Sequence, residues 1–139
     1  MDRRTFMITA SAGAAAMTLP QVASAAALDY RPGLLKERLD AGDTVLLDFK
    51  ASWCGTCRAQ GRAIEALKKE NAAYGERITF INVDWDTYGS SEMAKRLKIP
   101  RRSTLVVMKG DEELGRIVAE TRKERIKSLM DTALNAASA

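Results

Sequence analysis

The chain has 139 residues, of which 46% are hydrophobic and 29% are charged, and its formal net charge at pH 7 is +4. This length allows one domain, and so mild and scattered a charge does not favour a nucleic-acid-binding protein. The chain has no histidine, so the commonest general base and metal ligand are excluded, and a closed four-ligand zinc site would need Asp or Glu beside the two cysteines.

Residues 1–25 are predicted to precede the folded domain. Arg3 and Arg4 are followed by Phe6 and by an apolar run that is shorter than the roughly 20 residues needed to span a bilayer. The Ala-Ser-Ala at 23–25 fits a small-x-small cleavage site. The segment resembles a bacterial twin-arginine export signal, so we expect cleavage at its end and a periplasmic protein. A chance arginine pair on an amphipathic or disordered N-terminus is the alternative.

The remaining residues, 26–139, show the alternating pattern of a small α/β domain. In chain order, the apolar spacing predicts a helix within 30–43, a strand at 44–51, a helix at 55–75 that ends at Gly75, a strand at 77–84, a short helix at 90–99 capped by Ser90 or Ser91, two strands within 103–120 around a Gly110-Asp111 turn, and a helix at 121–139. Strands that alternate with helices pair in parallel, and the last hairpin adds an antiparallel edge. We therefore expect a small mixed β-sheet with helices on both faces.

Cys54 and Cys57 are the two cysteines of the chain, and both fall where a predicted strand meets a predicted helix. The positive end of a helix dipole stabilises a thiolate, and this spacing lets one sulfur resolve a mixed disulfide formed by the other. A disulfide that closes so short a loop would stabilise the fold little. We therefore favour a redox centre, and an inert staple and a metal site are the alternatives.

The stretch "LLDFKASWCGTC" at 46–57 and the order of elements over 30–137 resemble the thioredoxins and their periplasmic relatives. The resemblance implies a thioredoxin-like fold for residues 26–139 and the activity of a thiol-disulfide oxidoreductase. It also implies that Cys54 is the exposed nucleophile and that Cys57 is the buried resolving thiol.

Four neighbouring residues receive roles as well. By resemblance, Asp48 is a buried carboxylate that takes a proton from Cys57, and a raised pKa would suit that task. An ion pair that serves folding is the alternative for Asp48. Trp53 is expected to shape the substrate surface, and Gly55 to let the substrate approach closely. The N–H of Thr56 is expected to donate to the thiolate.

Two positions depart from the family pattern. Phe80 stands where the family has the lysine that pairs with Asp48, and Lys50 stands where an aromatic residue is common. Since Lys50 leaves the same face of the strand as Asp48, we hypothesise that it supplies the missing ammonium, unless it extends to solvent. Trp85 and Tyr88, which follow the second buried strand, either border the substrate groove or pack the loop.

The loop before the predicted hairpin is expected to face the cysteines. Aligning Thr104 with the start of the strand puts Ser103 at the position of the family's cis-proline, and the alternative register uses Pro100. We expect a trans Arg102–Ser103 bond, because a cis bond before a non-proline residue is costly. Arg102, Ser103 and Thr104 are predicted to bind substrate. Arg101 and Arg102 are expected to lie near the site, and at least one of them to face Cys54, where a guanidinium favours the thiolate and attracts acidic partners. The alternative is that both arginines point to solvent.

The dipeptide between the cysteines, Gly55-Thr56, matches neither the Gly-Pro of typical reductants nor the Pro-His of strong oxidants, so we expect an intermediate reduction potential. The function predicted is that of a monomeric periplasmic reductase of protein disulfides. It is fed by a thiol donor in the inner membrane and uses no cofactor, metal or nucleic acid. The alternative is a module that binds copper(I) or an iron–sulfur cluster through the two thiolates.

Overall fold

The computed structural model describes residue 13 and residues 26–139. Apart from Gly13, the predicted export signal at 1–25 lies outside the described residues, and its cleavage stays a prediction. Along the described part of the chain, no helix is both long and apolar enough to cross a bilayer.

Residues 26–139 form five strands and six helices. The strands are β1 (Leu28–Asp29), β2 (Thr44–Lys50), β3 (Thr79–Asp84), β4 (Thr104–Lys109) and β5 (Glu112–Val118). The helices are α1 (Leu34–Asp40), α2 (Gly55–Glu70), α3 (Ala73–Arg77), α4 (Trp85–Tyr88), α5 (Glu92–Arg96) and α6 (Lys123–Ala137). The four strands expected from the sequence are present, with differences only at their ends.

The strands form one mixed sheet in the order β1-β3-β2-β4-β5. β2 lies at the centre, parallel to β3 and antiparallel to β4. β1 pairs in parallel with β3 at one edge, and β5 forms a hairpin with β4 at the other. Because helices cover both faces of β2, its residues 44–49 are all buried, which explains why the strand is almost continuously apolar.

Helices lie on both faces of the sheet, as predicted. On one face, α1 and α5 bury Leu35 and Met93 against it, and on the other α2 and α6 bury Ile64 and Ile126. Alternate side chains of β2 point to opposite faces. Asp48 therefore leaves the strand on the same side as α2, the helix that carries Cys57.

The helix predicted over 55–75 is two helices, so that prediction was wrong at its C-terminal end. Asn71 adopts an extended conformation with φ −141° and ψ 103°, which ends α2. Its side-chain oxygen accepts the N–H of Ala73 at 3.1 Å and starts α3. Gly75 is consequently inside α3, where it is buried, and does not end a helix.

Two short elements were not predicted, namely β1 and α4. A strand of two residues and a single helical turn are too short to show a hydrophobic period. Of the two caps expected for the short helix at 90–99, Ser90 and Ser91, it is Ser91 that caps α5. Its Oγ accepts the N–H of Ala94 at 3.2 Å.

Candidate active site

Cys54 and Cys57 lie at the junction between β2 and α2. Cys54 is the N-cap of the helix, and its Sγ accepts the N–H of Cys57 at 3.2 Å. The expected donor was the N–H of Thr56. The structure corrects this, because the capping side chain reaches the third helical residue rather than the second. The two cysteines are thus held one above the other on the first turn of α2.

Both thiols are free and buried. Cys57 is 1% exposed, as expected, but Cys54 is only 2% exposed, so the prediction of an exposed nucleophile was wrong. The two cysteines form a small buried cluster with Ala51, against which Trp85 packs, and Ser103 covers the sulfurs from the opposite loop. A substrate disulfide must therefore displace part of this cover to reach Cys54.

Ser103 contacts both sulfurs. Its Oγ lies 3.2 Å from Sγ of Cys54 and 3.0 Å from Sγ of Cys57. Pro100 is exposed and lies three residues earlier in the loop, so Ser103 and not Pro100 occupies the place beside the cysteines. All peptide bonds of the described residues are trans, including Arg102–Ser103.

The Cys54 thiol has an unusual acidity. Burial raises its pKa, but hydrogen bonds with Cys57, Ser103 and Arg102 lower it by more, so that the pKa falls to about 7. Such a pKa leaves a substantial fraction of Cys54 as the nucleophilic thiolate at neutral pH.

Asp48 is the buried acid of the site, with only 5% of its surface exposed. Burial raises its pKa to about 6, although the charges of Lys50 and Lys68 oppose that shift. Its Oδ1 has no hydrogen-bond partner within the described chain. Asp48 and Cys57 line the same cavity of about 660 Å³, in which water can connect the carboxyl group with the thiol.

Two lysines supply positive charge near Asp48. Lys50, the hypothesised partner, lines the same cavity, but its ammonium forms no ion pair with Asp48 among the described residues. Lys68 also lines the cavity and holds its Nζ 3.9 Å from the centroid of the Phe80 ring. Sequence analysis missed Lys68, although its place about three helical turns after Cys57 on α2 is a usable signal.

Trp53 forms the exposed rim of the site, with 55% of its surface accessible. Its Nε1 donates to both carboxylate oxygens of Asp86, each at 3.1 Å. The guanidinium carbon of Arg102 lies 4.4 Å from the centroid of the indole ring. Arg102 therefore faces the site, whereas Arg101 donates its Nε–H to the carbonyl oxygen of Arg102 at 3.1 Å.

The other predicted substrate-binding residues divide into two groups. Gly55 is exposed and Thr56 half-buried at the start of α2, beside the sulfurs. Ser103 and Thr104, which are also predicted to bind substrate, are fully buried in this substrate-free structure. Thr104 donates its hydroxyl to the carbonyl oxygen of Arg101 at 2.6 Å, so its side chain holds the loop together.

The aromatic residues of α4 have separate contacts. Trp85 meets the ring of Phe49 edge-on at 6.5 Å and packs against the cysteine cluster, so it supports the site from inside. Tyr88 meets Tyr30 edge-on at 4.9 Å and anchors α4.

The described residues contain no group of three or more His, Cys, Asp or Glu side chains arranged to hold a metal ion. Binding of copper(I) or an iron–sulfur cluster would therefore rest on the two thiolates alone.

Residues 30–132 match the family model described as thioredoxin. The chain is 35% identical over 85 residues to thioredoxin H2-1 of Oryza sativa subsp. japonica, which covers 61% of this chain and 57% of that protein. It is 33% identical over 78 residues to a thioredoxin of Echinococcus granulosus, covering 55% of this chain and 67% of that protein. The matched part thus spans between about half and two thirds of these relatives.

A solved structure has the same fold. Trxlp of Edwardsiella tarda EIB202 superposes with a TM-score of 0.66 at 21% identity, over 76% of this chain and 98% of that chain. The mixed five-stranded sheet with helices on both faces is therefore a fold shared with a known structure.

Proposed function

The chain belongs to the thioredoxin family, and on that premise we propose that it is a protein-disulfide oxidoreductase that acts through Cys54 and Cys57. One observation carries the proposal: the Cys54 sulfur caps α2 and has a pKa of about 7, with a second thiol on the same helical turn. This arrangement combines a nucleophile that is ionised at neutral pH with a thiol placed to resolve the intermediate.

The reductive reaction follows from the positions of the three groups. The Cys54 thiolate attacks one sulfur of the substrate disulfide, a Cys54–substrate disulfide forms, and the other substrate sulfur leaves as a thiolate that takes up a proton. Cys57 then gives its proton to the Asp48 carboxylate through water in their shared cavity and attacks Sγ of Cys54. The second substrate sulfur leaves as a thiolate and takes up a proton. The substrate has gained two electrons, and the two cysteines, which have lost them, are joined as a Cys54–Cys57 disulfide.

The proposal extends to location and electron supply. The Arg-Arg-x-Phe pattern within residues 1–25 supports export to the bacterial periplasm, and the Gly55-Thr56 dipeptide lacks the histidine of strong oxidants. In an oxidising compartment, a reductase must itself be reduced after each turnover. We therefore propose a monomeric periplasmic reductase whose disulfide is reduced by a thiol donor in the inner membrane.

Turnover of a protein disulfide such as insulin, with a chemical reductant, tests the activity. Cys54→Ser should abolish reduction, and Cys57→Ser should accumulate a mixed disulfide because it attacks but cannot resolve. Insulin reduction by Cys54→Ser at the wild-type rate would refute the assignment. Metal analysis of anaerobically purified protein tests the copper(I) or cluster alternative, and capture with Cys57→Ser in periplasm identifies the substrates.

A further inference from the structure

The Ser103 hydroxyl has a position that the roles of Cys54, Cys57 and Asp48 do not require. It is completely buried and lies within hydrogen-bonding distance of both active-site sulfurs, 3.2 Å from Cys54 and 3.0 Å from Cys57. A hydroxyl group has one proton to donate, so it can serve only one thiolate at a time. It can, however, rotate from one sulfur to the other without moving its oxygen.

The backbone of Ser103 is held firmly in an unusual conformation. Its φ of 59° lies in the left-handed region, which residues other than glycine rarely adopt. Its N–H donates to the carbonyl oxygen of Phe49 at 2.7 Å, and its own carbonyl oxygen accepts the N–H of Ala119 at 2.8 Å. The same carbonyl oxygen accepts Nε2 of Gln60 at 3.0 Å, and these bonds together fix the hydroxyl against the sulfurs.

Gln60 ties this loop to the helix of the cysteines. It lies on the buried face of α2 with Cys57, and none of its surface is exposed. Besides Ser103, its Nε2 donates to the carbonyl oxygen of Glu120 at 3.0 Å. The sequence signal for this positioning residue was an amide at helical spacing from Cys57, Ile64 and Leu67, and it was missed.

We propose that the Ser103 hydroxyl is a catalytic hydrogen-bond donor that stabilises first the Cys54 thiolate and then the Cys57 thiolate. The inference rests on the proposed disulfide exchange and adds a residue to it. Before attack, the hydroxyl donates to Cys54 and accepts from the Cys57 thiol. Once Cys54 is bonded to substrate and carries no charge, the hydroxyl turns and donates to the thiolate that forms at Cys57 as its proton leaves for Asp48. The serine gains and loses no proton, so the atoms and electrons of the disulfide exchange balance unchanged.

Two variants distinguish the effect of the Ser103 hydroxyl from the effect of the Ser103 backbone conformation. Ser103→Ala and Ser103→Gly both remove the donor, but only glycine relieves the left-handed conformation. Each should raise the pKa of Cys54 by about one unit, because a hydrogen bond to a charged group is lost. Each should also slow the decay of a preformed mixed disulfide by about tenfold at pH 7. Ser52→Ala, an exposed serine beside Trp53, is the matched control and should change neither quantity.

Thiolate absorbance gives the Cys54 titration without any turnover, and single-turnover kinetics gives the decay of the mixed disulfide. The role of Ser103 would be overturned if either the Cys54 pKa or the decay of the mixed disulfide were unchanged in both variants. A change in only one variant would also overturn it, because the cause would then be the backbone. A wild-type protein that reduces no disulfide would instead refute the proposed function, whatever the titration shows.

Discussion

At the level of single residues, Asp48 is a carboxyl group placed where its charge is costly. Its native pKa of about 6 is higher than the ordinary value of 3.8. Between these two pH values the native state binds more protons than the unfolded state, so stability falls as pH rises from about 4 to about 6. Above that window the charged carboxylate destabilises the fold by about 3 kcal/mol at most.

Asp48→Asn should therefore stabilise the protein at pH 8 by about 2–3 kcal/mol and have little effect at pH 3. Denaturant unfolding at the two pH values measures the difference. Asp111→Asn, at an exposed turn, is the control and should be nearly neutral at both. A gain from Asp48→Asn of equal size at pH 3 and pH 8 would contradict the expected pH dependence.

Arg102 and Arg101 form a matched pair of cations with different contacts. Arg102 lies against Trp53 and lowers the pKa of Cys54, whereas Arg101 donates to a loop carbonyl. Arg102→Ala should raise the pKa of Cys54 and slow attack on a disulfide peptide with acidic flanks by about threefold to tenfold at low salt. Arg101→Ala removes the same charge and should do much less. Stopped-flow rates at low and moderate salt test this, and equal losses in both variants would count against the role of Arg102.

Some of these residues were predictable and others were not. Cys54, Cys57 and Asp48 follow from a short stretch of sequence, because a strand and a helix start fix their relative positions. The loop of Ser103 was expected to face the cysteines, but the sequence did not show that it packs closely enough to bury Cys54. Such contacts depend on how the loop packs, which no local pattern encodes.

At the level of elements, the glycine inside α2 and the glycine that follows α4 differ in whether a side chain would fit. Gly89 is the C-cap of α4, and a Cβ added to it would lie only 2.7 Å from the carbonyl oxygen of Trp85. Gly61 lies inside α2, and apart from its chain neighbours and the backbone of its own helix no atom lies within 4 Å of the position that a Cβ would take. Close approach of the backbone therefore explains the glycine at position 89 but not the glycine at position 61.

Alanine at position 89 and alanine at position 61 should change the stability of the protein in opposite directions. Gly89→Ala should destabilise the protein by about 1–3 kcal/mol, because backbone and indole must shift to admit the methyl group. Gly61→Ala should stabilise it by up to about 1 kcal/mol, since alanine is the better helix former. Thermal unfolding of both variants measures this, and destabilisation of similar size in both would disprove the steric account of Gly89.

At the level of the whole molecule, the fold was predictable because each central strand is buried on both faces. Burial of nearly all of β2 and of half of β3 produced the apolar runs that distinguish them from helices. The break between α2 and α3 was not predictable from periodicity, because a single residue, Asn71, carries it. The order of strands in the sheet likewise follows from long-range pairing rather than from local sequence.

Residues 1–25 are expected to decide in which compartment the domain that follows them functions. If Arg3 and Arg4 form an export signal, recognition depends on the guanidinium groups, since lysine keeps the charge but not the planar fork of donors. Replacing both by lysine should therefore leave the protein in the cytoplasm with its N-terminus intact, while the parent chain is recovered from the periplasm starting at Ala26. Fractionation followed by N-terminal sequencing measures both outcomes.

The matched control replaces two arginines of the domain, Arg31→Lys with Arg38→Lys, and this variant should be exported like the parent chain. Equal export of the Arg3→Lys, Arg4→Lys chain would show that the arginine pair is not the signal. A parent chain that stays in the cytoplasm with Met1 in place would refute export itself.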